Sequence, residues 1–467
     1  MSGNVILLEF NELSPTLMNR FISQGHLPNF KRFSEESGVY LTEAAERAPY
    51  LDPWIQWITV HTGLDFKEHG VERLNEGHTV RAKRIWDFVG KAGDPVWICG
   101  SMNVAYQPGL KGAVMPDPWT THVAVTPKEL DPYFSFIQRN VLEYTNAKVP
   151  LSRSDYIRFV KFMAQHGLSI STVRAITQQL LKEVKKQDRW KRAVILDKLQ
   201  FDVFRSYYNK MRPRFSTFFL NSTAHYQHFY WRNMEPEVFT VQMSREEAAK
   251  YESAILYGYR EMDGLVGKFM ELADKDTTLV FCTAISQQPY LAYEEKGGRQ
   301  VYRPSNFEAL VRFAGVSVPF RIAPVMAHQF HVYLETEADA QRVEEQMKAL
   351  TINGRQAMAV IRTGLQIFSG CHIYDSLPNA QLLLGEGGKS AKFFDFFYKI
   401  EGLKSGMHHP DGMLWIREPD RRHSHHEEKV PLAAVAPTLL DLLGIEKPAS
   451  MKESSVLHVS DRVAQPV

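Results

Sequence analysis

The stretch Phe215-Ser-Thr-Phe-Phe-Leu-Asn-Ser-Thr-Ala-His-Tyr-Gln-His228 carries residues whose types and order suit chemistry. An apolar, β-prone run leads straight into Asn221, and His225 follows four positions later. Open α/β enzymes build their sites in this way, with polar, metal-capable side chains at the carboxyl ends of buried strands. The spacing places Asn221 and His225 on one side of a strand-end loop or of the first helical turn beyond it. An Asx turn followed by a surface histidine is the plainer alternative.

Other strand-like runs end in the same manner. Val5-Ile-Leu-Leu8 runs into Glu9-Phe10-Asn11-Glu12, Pro95–Cys99 into Gly100-Ser-Met-Asn103, and 277–283 into Ala284-Ile-Ser-Gln-Gln288. Asp52 followed by Pro53 marks a helix start. The free amides and positive dipole end of that helix suit a phosphate or sulfate. Asp52 then either caps this helix or serves as nucleophile, general base or ligand.

The elements that must position these residues alternate between strand and helix. A helix starting at Pro15, an extended segment at 39–43, a helix from Pro53 to about Val60 and another from Ile85 to Gly93 precede the strand at 95–99. This order predicts a doubly wound α/β sandwich with a central, mostly parallel sheet in three layers. From 127 to 213 the pattern is helical, with helices at 152–165, 169–186 and 190–210. Ser244-Arg-Glu-Glu247 reads as a capping box opening one long helix through Phe269. Residues 329–375 read as a small α+β unit. The expected organisation is an α/β core of 1–125, 215–290 and 400–467, a helical insertion at 126–214 and a small α+β cap at 291–399.

Composition excludes several classes. The chain of 467 residues has Lys+Arg 55 against Asp+Glu 53, which argues against a dedicated nucleic-acid binder. Cys99, Cys282 and Cys371 are scattered and odd in number, so buried thiols are expected and disulfides are not. No apolar run approaches membrane-spanning length, and the N-terminus has no signal-peptide pattern, so a cytoplasmic protein is expected.

The order of these motifs resembles the alkaline phosphatase superfamily, nearest its type I phosphodiesterase/nucleotide pyrophosphatase branch. The resemblance rests on Val5–Pro15 with Leu27-Pro28-Asn29, Trp57–Gly63 with Glu68-His69-Gly70, Ile85–Pro118, Asn221–His225, Asp276–Thr283, Gly406-Met-His-His-Pro-Asp-Gly412 and Ala436–Gly444. It implies two divalent metals held by Asp and His, beside a Thr, Ser or Cys nucleophile at a helix N-terminus. This sequence departs from that pattern. Asn11 stands where the first metal Asp belongs, Ile285 and Ser286 stand where an Asp-His pair belongs, and Leu51 and Asp52 precede Pro53. The resemblance therefore implies at most one divalent metal, Zn or Mn, on Asn221, His225 and His408, and no two-metal site. It places Asp52, Glu9 and His225 in catalytic positions, and Asn11, Asn103, Ser286 and Gln287 against substrate.

Three functional readings follow. The chain is a diverged hydrolase or group-transfer enzyme on a phosphate-like ester, a site running non-metal acid/base chemistry through Glu9, Asp52, His225 and His408, or a pseudoenzyme that binds a phosphorylated molecule or partner protein. The expected substrate is a small molecule or a glycan bearing a phosphate-like group. Between Lys182 and Arg214, 11 Lys/Arg face four acids. That run is either a solvated face or a peripheral contact for an anionic substrate or membrane surface.

Overall fold

The computed structural model describes residues 3–145, 151–184, 188–325, 328–400 and 402–458. Its centre is a nine-stranded sheet. Strands β1 (Asn4–Phe10), β2 (Gly38–Glu43), β3 (Val96–Cys99), β4 (Gly112–Met115), β5 (Phe215–Leu220) and β6 (Thr277–Cys282) form most of it. The order β4-β3-β5-β1-β6 is parallel throughout. Asp411–Arg417 then inserts antiparallel between β6 and β2. Two short strands, Ser424–His425 and Val430–Pro431, finish the edge beside β2.

The apolar runs fold as parallel strands because both faces of the sheet are covered. Along β1 the side chains alternate between two cores: Ile6, Leu8 and Phe10 pack into one, Val5 and Leu7 into the other. Helices α1 (Pro15–Ser23) and α2 (Pro28–Glu35) close the first layer, together with Ala254–Leu272. Helix α3 (Pro53–Thr62) and Val435–Leu442 close the second. The result is a three-layer α/β sandwich with a mostly parallel sheet, as the sequence pattern predicts.

Residues 131–211 contribute the helices Asp131–Thr145, Arg153–Gln165, Ile170–Val184 and Ala193–Met211. A separate core gathers Tyr302, Phe330, Val343, Ile367, Phe393 and their neighbours, around two four-stranded antiparallel sheets and the two-stranded pair Tyr302–Pro304 and Phe397–Lys399. The long helix expected from Ser244 onward is broken. Ser244 does cap Arg245–Tyr251 by accepting from the Glu247 amide at 3.2 Å, but a new helix begins at Ala254. All three cysteines are buried and unpaired. Among the described residues, no helix is long and apolar enough to cross a membrane.

Candidate functional site

The sheet opens at its carboxyl edge into a cavity of about 760 Å³. Three side chains capable of binding a metal converge in it: Glu12, His228 and His408, whose donor atoms lie within 4.8 Å of one another. Glu12 Oε2 stands 3.1 Å from His228 Nε2 and 3.4 Å from His408 Nε2.

Each of the three is placed by a distinct local device. Glu12 follows β1 in the left-handed region, at φ 62°, a conformation uncommon for a non-glycine residue and typical of constrained sites. This turn brings its carboxylate under the helix Ser222–Met234, where the Gln227 amide donates to the Glu12 carbonyl at 2.6 Å. His228 lies on that helix, and its Nδ1 is 3.0 Å from the Gly406 carbonyl. Donation to that carbonyl fixes the tautomer and leaves Nε2 to face Glu12. His408 sits on Gly406–His409, which pairs antiparallel with β7 (Ser286–Pro289). Gly406 permits the close approach, because a Cβ there would stand 2.4 Å from the Gln227 carbonyl oxygen.

The charges in the group are mutually dependent. Burial works against ionisation of Glu12, but His408 and His228 outweigh it and hold the carboxyl well below its ordinary value. Burial likewise opposes a charge on His408, but Glu12 and Asp52 lift it to about 9. His228 is pushed down, by burial first. Asp52 Oδ1 lies 3.2 Å from His408 Nδ1. It occupies the N-cap position of α3 yet makes no side-chain capping bond there.

Asn221, His225 and Asp52 line the same cavity as the three-residue group. His225 stands outside that group, and burial, followed by Arg303 and His228, holds it at about 3. Asn11 is committed to its neighbours: its amide donates to Glu12 Oε1 and to Asn221 Oδ1, each at 2.7 Å, and its oxygen accepts from Trp57 Nε1 at 2.7 Å. Gln287 donates to Glu12 Oε2 and to the Ala224 carbonyl, behind the cavity wall. Ser286 is buried on β7 opposite His409. Glu9 and Asn103 do not line the cavity. Glu9 is fully buried against His61 at 2.7 Å, tying β1 to α3. Asn103 accepts from the Asn75 amide at 2.7 Å and donates to the Trp54 and Arg73 carbonyls, tying its own loop to the 73–75 loop and to the first turn of α3.

Glu12 and His228 were not singled out by sequence reasoning as ligands. His228 had a readable signal, since His225 and His228 are three apart on one helix and so share a face. Glu12 had none beyond its place after a buried strand, because a backbone turn at one residue decides where it points.

Residues 5–384 match the family model described as type I phosphodiesterase / nucleotide pyrophosphatase. The chain belongs to that family. His408 lies beyond the matched span. Among solved structures, the phosphodiesterase-family chain is similar to phosphonoacetate hydrolase from Sinorhizobium meliloti 1021, at 11% identity and TM-score 0.44, over 95% of this chain and 96% of that one. It is also similar to murine ectonucleotide pyrophosphatase/phosphodiesterase 5, at 10% identity and TM-score 0.42, over 98% and 99%. The human counterpart gives 11% identity and TM-score 0.40 over the same shares. A search of curated proteins finds no match.

The family implies divalent metals, and the donor set fits one of them. Two imidazoles and one carboxylate are a common hydrolytic zinc set. A second ion would find Asn11 and the buried Ile285 and Ser286 at the positions implied by the resemblance, and none of these is anionic.

Proposed function

We propose that this chain is a hydrolase or group-transfer enzyme acting on a phosphate-like ester of a small molecule, with one divalent cation, Zn or Mn, held by Glu12, His228 and His408. The observation that carries this reading is the convergence of those three donors inside a large cavity. A bound cation would act there as a Lewis acid toward a phosphoryl oxygen.

The remaining roles belong to the chain's own groups. Arg299 and Lys404 stand on the cavity wall and make no ion pair among the described residues. Their charges suit the anionic oxygens of the substrate. Arg299 is held in place by stacking on Tyr374, 4.2 Å from the ring centroid, and its buried Nε has no partner. Asp52 orients His408 by accepting from Nδ1, as carboxylates do behind metal-binding histidines. His225, kept neutral by burial at about 3, is a poor general base near neutral pH, and its role in the cavity is to hydrogen-bond the substrate as an uncharged imidazole.

A binding-only reading draws on a different observation. Glu12, His228 and His408 already neutralise one another, so the fold holds them together without an ion. Metal analysis of purified protein, with bis(p-nitrophenyl) phosphate hydrolysis by the parent and by Glu12→Gln, separates the two. One metal equivalent and a hydrolysis that Glu12→Gln abolishes support the enzyme. Tight binding of a phosphorylated ligand, with no turnover at any metal loading, supports the binding protein.

A further inference from the structure

One helix of the 126–214 region, Ile170–Val184, is built inside out. On Ile170–Val184, the polar Thr172 and Gln179 are buried, and Gln179 donates to the Asp188 carbonyl at 2.9 Å. Ile170, Val173, Leu180, Leu181 and Val184 face water instead, with Ile170 89%, Val184 83% and Leu181 63% exposed. Their three- and four-residue spacings gather these side chains along one side of the helix. The preceding helix, Arg153–Gln165, buries Phe159, Phe162 and Met163 in the core but leaves Tyr156, Val160 and Ile157 exposed as well, the last at 68%. A helix on a protein surface in water normally does the reverse of Ile170–Val184, turning its apolar stripe to the core. Exposed apolar side chains gathered on one helix face mark interaction or membrane surfaces.

The charges around these side chains have one sign. Arg153, Lys161 and Arg174 are exposed and make no ion pair among the described residues. The acids of the two helices are already engaged, Asp155 by Arg139 at 2.9 Å and Arg158 at 2.6 Å, and Glu183 by Arg192. A second copy of the same face would set these cations against one another. Anionic headgroups complement them, and long basic side chains can extend from an apolar face into the headgroup layer.

We propose that the helices Arg153–Gln165 and Ile170–Val184 dock on an anionic phospholipid surface, lying in its plane with their apolar side chains inserted. The basic run beyond Lys182 is not the main contact. Lys191, Arg192, Lys198 and Lys210 are paired there with Asp188, Glu183, Glu261 and Glu129, while Lys185 and Lys186 lie outside the described residues. The proposal stands whether or not the cavity is catalytic.

Flotation with vesicles of phosphatidylcholine containing phosphatidylglycerol, and of phosphatidylcholine alone, tests it on the full chain. The parent protein is expected to float with the anionic vesicles, less so at high salt. Ile170→Glu with Leu181→Glu should cut partitioning by about tenfold or more and leave Tm unchanged, because both sites are exposed. Arg153→Gln with Arg174→Gln, which disturbs no packing, should weaken binding to anionic vesicles severalfold. Absence of flotation by the parent overturns the proposal, as does partitioning unchanged in both variants. A parent dimer in sedimentation that Ile170→Glu with Leu181→Glu makes monomeric would also overturn it, assigning the face to a second copy.

Discussion

Asp52 Oδ1 lies 3.2 Å from His408 Nδ1, although Asp52 occupies the N-cap of its own helix. The carboxylate is thus spent on a histidine 356 positions away in sequence rather than on the amides beside it. Asp52→Asn should leave α3 intact, since no side-chain capping bond is lost and Asn suits the N-cap equally. It should weaken divalent-metal affinity by about 10- to 100-fold, the usual effect of removing the partner behind a ligating histidine. Competition with a chromophoric chelator measures this. Unchanged affinity with collapsed turnover would instead place Asp52 on the substrate.

The charge on His408 sets opposite pH dependences for the metal-free and metal-bound protein. Its folded value of about 9 lies above the ordinary 6.5, because Glu12 and Asp52 overcome the burial that opposes its charge. The stabilisation from this group is therefore complete below about 6.5 and lost as pH rises through about 9. Metal binding runs the other way, since His408 must give up its proton to become a ligand. Chelator-treated protein should lose thermal stability across that window, while metal affinity rises across it. Calorimetry in buffers of different ionisation enthalpy should show about one proton released per metal near neutral pH. Affinity that is flat with pH would mean that His408 does not ligate.

How much of this could be read from the sequence depends on the range of the interaction that decides it. Val5–Leu8 is legible as a buried parallel strand because helices cover both faces and nothing interrupts the apolar run. The capping role of Ser244 is equally local and equally legible. The break before Ala254 is not, since no proline or glycine marks it. Asp52 is readable as an N-cap position, but its partner is set by an antiparallel ribbon between β7 and Gly406–His409 that no local pattern announces. Glu12 is harder still, because its direction follows from one left-handed backbone conformation.

That ribbon makes Gly406 a sensitive position. Its missing side chain leaves room for the Gln227 carbonyl oxygen and for Gln287 Oε1, each 2.4 Å from where a Cβ would be. The first is backbone of the helix that carries His228, so little can yield. Gly406→Ala should destabilise the protein by about 1–3 kcal/mol through overpacking. It should also lower metal affinity, by moving His408 relative to Glu12 and His228. Urea denaturation and metal titration read the two effects separately, and a variant of parental stability and affinity would show that the ribbon can shift freely.

Lys404 offers a pH-dependent test of substrate binding that is separate from the metal. Burial, followed by the like charge of Arg299, lowers its amine to about 8 against the opposing pull of Asp52 and Glu12. It is therefore charged at neutral pH and loses that charge as pH rises through about 8. If its ammonium holds an anionic oxygen of the ligand, affinity for inorganic phosphate should be highest below that value and fall above it. Lys404→Met should weaken phosphate binding by about tenfold or more at neutral pH, since a charge-assisted hydrogen bond contributes about 1.5–3 kcal/mol. The same substitution should remove the decline near pH 8 and leave the decline caused by any other group. Arg299→Met should weaken binding similarly at neutral pH. It should also raise the Lys404 transition toward the ordinary lysine value, because the repulsion between the two cations is gone. Phosphate affinity that is unaltered in both variants would remove this wall of the cavity from substrate recognition.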